Sequence, residues 1–220
     1  MSRSSTGAQP DQAGHEHRAP ARKVPVMSPG ATFERVYRAL KVELGSVRFG
    51  PGDAHEPALL ADLFNSSVTP VRDALHRLVG EGLVAAPRSD GFRVPILTEV
   101  GLRHLYAWSQ WLLMRSVALR PEGREQERQV DQSGDVDALF LTIAGWTGNP
   151  EHLAAMVRVN DRLRPIRVLE TGLIEDVASE VRGLEQAAAE SRSTLRNRIA
   201  LYHRRRARAA AEIVEAVHRR

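Results

Sequence analysis

The sequence predicts a mainly α-helical chain in two parts: three helices and a β-hairpin over residues 31–95, then an all-α bundle over residues 96–220. Three observations carry this. After residue 30, apolar residues recur mostly at three- and four-residue steps, which gives helices one buried face. A short strand signal surrounds Asp90-Gly91, a dipeptide suited to a tight turn. The chain has 220 residues, 42% of them hydrophobic, enough to bury a sizeable core.

Residues 1–30 are rich in Ser, Gly, Pro, Gln and Arg and have no apolar period. Such a stretch buries too little surface to offset its chain entropy, which predicts a disordered arm. The first helix follows from the stripe Phe33, Val36, Tyr37, Leu40 and Leu44, and Gly50-Pro51-Gly52 ends it. A second, short helix starts near Pro57, with Leu59, Leu60, Leu63 and Phe64 as buried candidates. Asn65 stands where a helix stops in the left-handed region. Ser67 is an N-cap for the third helix, and Pro70 is tolerated in its first turn. Val71, Ala74, Leu75 and Leu78 make the inner face of that helix, with Val68, Arg72 and His76 on the opposite side. Leu83–Ala86 and Phe92–Val94 read as the two strands of the hairpin.

In the second half, Thr98 starts a helix whose Leu102, Leu105, Tyr106, Trp108, Leu112 and Leu113 form a broad apolar face. Residues 121–134 read as a linker, and helical patterns follow over about 135–147, 150–163, 171–188 and 191–218. A helix that is apolar around Trp108 and Trp111 as well as Leu112 and Leu113 needs cover on two sides. This places it between the bundle core and a partner subunit.

Composition narrows the function. With no Cys, there is no disulfide scaffold, Cys-ligated metal site or cysteine nucleophile. No run reaches 18 apolar residues, so no transmembrane helix is expected. The first 30 residues contain no secretory apolar segment, and a cytoplasmic location is expected. Aromatic residues are only 5%, too few for a single-strand binder built on stacked bases. No Ser/His/Asp set, phosphate-cradling Gly loop or carboxylate pair has usable spacing, so no catalytic residues, cofactor or metal are assigned. The net charge of +4 is uneven: residues 189–220 hold 9 basic and 3 acidic residues, whereas residues 31–95 hold 8 of each. A neutral first domain must rely on a few well-placed cations to meet a phosphate backbone.

Helix, helix, turn, helix and hairpin in this order make a winged helix-turn-helix. The major groove accepts one α-helix, and residues near its N-terminus meet base edges. The candidate contacts with double-stranded DNA are therefore Ser67, Val68, Thr69, Pro70, Arg72 and His76 on the helix, and Arg88, Ser89, Gly91 and Arg93 on the wing. Arg72, one turn in, has the reach to pair with a guanine edge or clamp a phosphate.

These residues also carry a resemblance. Pro51-Gly52-Asp53, Leu60-Ala61, Thr69-Pro70-Val71-Arg72-Asp73-Ala74-Leu75 and Gly80-Glu81-Gly82-Leu83-Val84 resemble the DNA-binding domain of GntR-type bacterial transcription regulators, and Gly91–Val94 continues the pattern. The resemblance implies sequence-specific binding of a palindromic operator, most often as a repressor. It also marks departures: the family usually has Arg at the position of Val68, often a charged residue near Ala58, and Leu at the position of His55.

The second half is similar to the FadR-like subfamily, whose helical effector (FCD-type) domain dimerises and binds a small acid, often over a metal ion. The similarity runs through Leu105-Tyr106, Ala144, Gly148-Asn149-Pro150 and the final helix to His218. The metal ligands of that subfamily correspond here to Val136 and Phe140, and a further His position to Arg196. His203 and His218 lie about 22 Å apart along a helix, too far to share an ion. No metal is therefore expected. Arg196 and His218 remain as candidate effector contacts, with the ligand a small molecule and the assembly a homodimer. The competing reading is a winged-helix protein–protein interaction module that no longer binds a specific operator, suggested by Val68, Ala58 and the neutral first domain.

Overall fold

A computed structural model of the chain describes residues 29–46, 48–87, 91–120 and 133–219. Helix α1 (Pro29–Gly45) begins two residues inside the predicted arm, whose residues 1–28 lie outside the described residues. Its stripe of Val36, Tyr37, Leu40 and Leu44 is buried. Helix α3 (Val68–Gly80) packs against it, and α2 (Pro57–Leu63) packs against α3. Val71, Ala74, Leu75 and Leu78 of α3 are all fully buried, which is the inner face read from the sequence. Removing one such side chain, as in Leu78→Ala, would cost about 2–5 kcal/mol in transfer and cavity terms.

Two details of this domain differ from the reading. Leu59 (64% exposed) and Leu63 (47% exposed) face solvent, and Leu60 with Ala61 fills the core instead. Helix α2 is too short to bury two stripes, so only the pair facing α3 is covered. The wing also gains a strand. β1 (Ala54–His55) pairs antiparallel with β2 (Phe92–Arg93), in the register Ala54↔Arg93 and His55↔Phe92. The predicted hairpin partner contributes a single bridge, with Ala85 and Arg93 exchanging two backbone hydrogen bonds of 2.8 Å. A two-residue strand carries no period, which is why β1 leaves no sequence signal.

The second core is built from α4 (Glu99–Leu119), α5 (Val136–Gly145), α6 (Pro150–Leu173), α7 (Val177–Glu190), α8 (Arg192–Arg208) and α9 (Ala210–His218). Side chains start four of these helices, α8 among them through Ser191 Oγ, which accepts the Thr194 amide at 3.1 Å. Thr98 Oγ1 accepts the Gly101 amide at 3.1 Å, Asp135 accepts that of Asp137 at 2.8 Å, and Asn149 accepts that of Glu151 at 2.9 Å. Leu102, Leu113, Leu139, Phe140, Ile143 and Leu184 lie fully buried at the centre. Trp108, read as part of the broad apolar face of α4, is 44% exposed, while its neighbour Ser109 is fully buried.

Helix α6 runs ten residues past its expected end at 163, through Pro165. A proline removes one ladder bond but does not stop a helix held by packing on both sides, here by Met156, Val159 and Leu163 before it and Ile166 and Leu169 after it. Conversely, the single helix expected over 191–218 divides at Ala209, where no Gly or Pro stands. Most of the linker expected over 121–134 lies outside the described residues.

Charge is buried in this bundle. Arg206, fully buried, donates to Glu170 at 2.7 Å and Glu180 at 2.8 Å and lies over the Tyr202 ring. Tyr106 donates to the other Glu170 oxygen at 2.7 Å. A separate polar link joins the two domains: Lys41 of α1 reaches Asp161 of α6 at 2.6 Å and Glu81 at 3.2 Å. Burial disfavours the Lys41 charge, but the Asp161 and Glu81 carboxylates outweigh it and hold its pKa above the ordinary value.

Candidate DNA interface

The turn before α3 is set by one residue and pinned by another. Asn65 takes the left-handed conformation at φ 47°, which lets the chain reverse after α2. Arg35 of α1 donates to the carbonyls of Phe64 at 2.7 Å and Asn65 at 3.3 Å. These are the end carbonyls of a short helix, and a guanidinium there satisfies them and suits the negative end of the dipole. Sequence reasoning missed Arg35, because its partners stand 29 and 30 residues away and no local pattern links them.

From this turn α3 leaves with its tip in solvent. Ser67 is the N-cap residue in extended conformation, although its side chain makes no capping bond. Ser67, Val68 (39% exposed), Thr69, Arg72 and His76 are exposed, and Pro70 is half-buried. The fully buried face of α3 thus seats the helix while its tip and outer side stay open. Two basic residues on the outer side differ in their commitments. Arg77 pairs with Glu34 at 3.3 Å and Glu81 at 3.4 Å, and its guanidinium lies over the Tyr37 ring. Arg72 has no ion pair or hydrogen bond among the described residues.

His76 ties α3 to the wing, since its ring meets that of Phe92 edge-on at 5.0 Å. Gly91, at φ +69°, starts the returning strand on the exposed side. Arg93 does not project from the wing: it is half-buried and donates to the Gly52 carbonyl at 3.2 Å. Arg88 and Ser89 lie outside the described residues. The structure therefore brings together the α3 tip, Arg72, His76 and Gly91, and turns Arg93 toward the 50–53 turn.

His55 is nearly buried at 3% exposure, packs edge-on against Phe49 at 4.8 Å, and neither ring nitrogen has a partner. Burial lowers its pKa, opposed only by the Asp53 charge.

In the helical domain the structure sets His203, rather than Arg196, against Ser109 and Phe140. His203 Nδ1 donates to the Ile199 carbonyl at 2.8 Å, its Nε2 meets Ser109 Oγ at 3.1 Å, and its ring stacks on Phe140 at 5.9 Å. Burial, with Arg206 and Arg167 nearby, pushes its pKa down to about 3, so the imidazole is neutral. Both nitrogens are engaged, which leaves no lone pair aimed at an ion. Among the described residues no group of three His, Cys, Asp or Glu side chains is placed to hold a metal. Arg196 is exposed on α8. His218 is exposed at the end of α9, where its Nε2 donates to the Leu97 carbonyl at 2.8 Å. Neither lines the cavity between the domains or the groove between α4 and α8.

Comparison with known proteins agrees with this geometry. Residues 32–94 match the family of bacterial regulatory proteins, gntR family. The chain is 27% identical over 143 residues to the Nta operon transcriptional regulator of Aminobacter aminovorans, spanning 57% of this chain and 68% of that one. Its fold is similar to that of E. coli McbR/YncC, at 20% identity and a TM-score of 0.64, covering 82% of this chain and 97% of that one. It is also similar to the crystal structure of a GntR protein from Rhodococcus sp. RHA1, at 19% identity and a TM-score of 0.68, covering 84% and 99%.

Proposed function

We propose that residues 32–94, which match the gntR family, form a DNA-binding domain and that the chain acts as a homodimeric repressor that binds a palindromic operator end-on through α3. The observation that carries this is the seating of α3: four fully buried residues fix the helix, while its tip and Arg72 stand free in solvent. A helix N-terminus offers open amides and positive dipole to a phosphate, and Arg72 supplies the reach to a base edge. Val68 takes the place of the family's usual Arg, and its methyl groups suit contact with a thymine methyl.

The helical domain is read as FadR-like, with the metal site replaced by the neutral cluster of Ser109, Phe140 and His203. Dimerisation is assigned to α4. Its outer stripe of Val100, Trp108, Trp111 and Leu119 is exposed (62%, 44%, 55% and 45%), and the two indoles stack at 5.0 Å. A stripe this long and apolar on a soluble helix marks a contact surface. A twofold pairing across it would set two α3 tips on half-sites about one DNA turn, ~34 Å, apart.

The test is an anisotropy titration of the protein against duplex from its own upstream region and against scrambled duplex. A clear preference for the former at moderate salt supports the reading. Equal affinity, with a flat dependence on salt, supports the interaction-module alternative, because phosphate contacts release counterions and give a steep negative slope.

A further inference from the structure

A cavity of about 170 Å³ lies where the two domains meet. The DNA-binding domain contributes Leu44, Phe49 and Leu83 to its wall, and the helical domain contributes Leu105, Ile166 and Leu169. The connector of residues 94–98 closes one side, and His218 holds that connector in place through the Leu97 carbonyl. An engineered apolar cavity of about 150 Å³ accepts benzene, so the space suits one six-membered ring or a short branched chain.

Among the described residues, one charged side chain, Arg162, lines this wall, and it is a cation. The Arg162 guanidinium lies across Gly82, whose φ of +74° favours glycine and whose missing Cβ would sit 3.6 Å from Arg162 Nε. Arg162 has no ion pair or hydrogen bond among the described residues. Among the described residues no Asp or Glu lines the cavity, and the hydroxyl of Thr98 accepts the Gly101 amide while keeping its own O–H to donate. The chemistry is thus apolar walls with a single guanidinium that lacks a counter-charge. A monoanion with a compact apolar body satisfies both, since a planar carboxylate matches the guanidinium fork. A cation would be repelled, and a dianion would leave its second charge among carbon atoms.

We propose that this interdomain cavity is a binding site for a small apolar monocarboxylate, with Arg162 as its anion contact. The site differs from the cluster around His203 in the bundle, and its occupant would touch both domains at once. Its role as a control site over operator binding rests on the function proposed above. Occupancy itself does not, and is measured on the full-length protein without DNA.

The experiment is a methyl NMR titration with benzoate, toluene and benzylamine as probes. Benzoate should saturably shift the methyl signals of Leu44 and Leu97 together with those of Ile166 and Leu169, leaving Leu139 in the bundle centre unmoved. Arg162→Gln, a change at an exposed residue, should weaken benzoate roughly ten-fold or more and leave toluene unaffected. Ile166→Phe, which fills the space, should abolish binding of both. The proposal is overturned if benzoate at millimolar concentration moves none of the lining methyls. It is equally overturned if Arg162→Gln binds benzoate like the parent protein, or if benzylamine binds as well as benzoate.

Discussion

At the scale of single residues, the interface divides into side chains that reach outward and side chains that hold others in place. Arg72 reaches outward, whereas Arg77 is committed to Glu34, Glu81 and Tyr37. Arg72→Ala should therefore cost about 1–3 kcal/mol of specific DNA binding and relax selection at one base position, measured by anisotropy on a set of single-base operator variants. Arg77→Ala should act through folding stability instead. His55 illustrates the cost of a polar ring without partners. His55→Leu, which installs the family's usual residue, should stabilise the protein by about 1–3 kcal/mol in urea denaturation. The pH dependence of stability has a defined sign. His203 titrates near 3 when folded against 6.5 in an open chain, so between these values the unfolded chain binds a proton that the folded one does not. Its contribution is complete above about pH 6.5 and is lost progressively as the pH falls toward 3. His203→Asn should start from lower stability and lose less of it across that window in melts run from pH 7 to pH 4.

At the scale of elements, legibility in the sequence follows from whether the signal is local. Helix α3 is legible to the individual buried residue, and α1 nearly so, with Phe33 only partly buried, because a three-and-four stripe is repeated several times within each. The cap at Thr98 and the stop at Asn65 were equally local. Strand β1 is two residues long, the break at Ala209 has no helix-breaking residue, and the continuation of α6 through Pro165 depends on packing from other helices. None of these is written in a window of neighbouring residues. The same holds for the buried ion cluster. Periodicity treats Arg206 and Glu170 as solvated charges, yet both are buried at 1% exposure or less. Arg206→Ala would leave Glu170 and Glu180 without their central partner and should destabilise the bundle by about 3–5 kcal/mol in urea denaturation. Arg206→Met combined with Glu170→Leu should cost much less, because no buried charge is then stranded at that position.

At the scale of the whole molecule, two hydrophobic cores meet through a salt link at Lys41 and Asp161, a connector fastened by His218, and a cavity between them. The tip of α3 faces outward from one core, and the tryptophan stripe of α4 faces outward from the other. Under the proposed function, the α3 tip would meet a duplex and the α4 stripe a second copy of the chain, the two surfaces an operator-binding dimer needs. Because the natural chain has no cysteine, a single probe can be placed at the α3 tip without competing sites. Thr69→Cys carrying an iron chelate, bound to duplex from the upstream region, should cleave the DNA at two clusters separated by about one helical turn, ~34 Å. Cleavage spread evenly along the duplex, or none above that of the free chelate, would contradict the claim that α3 enters the groove tip first.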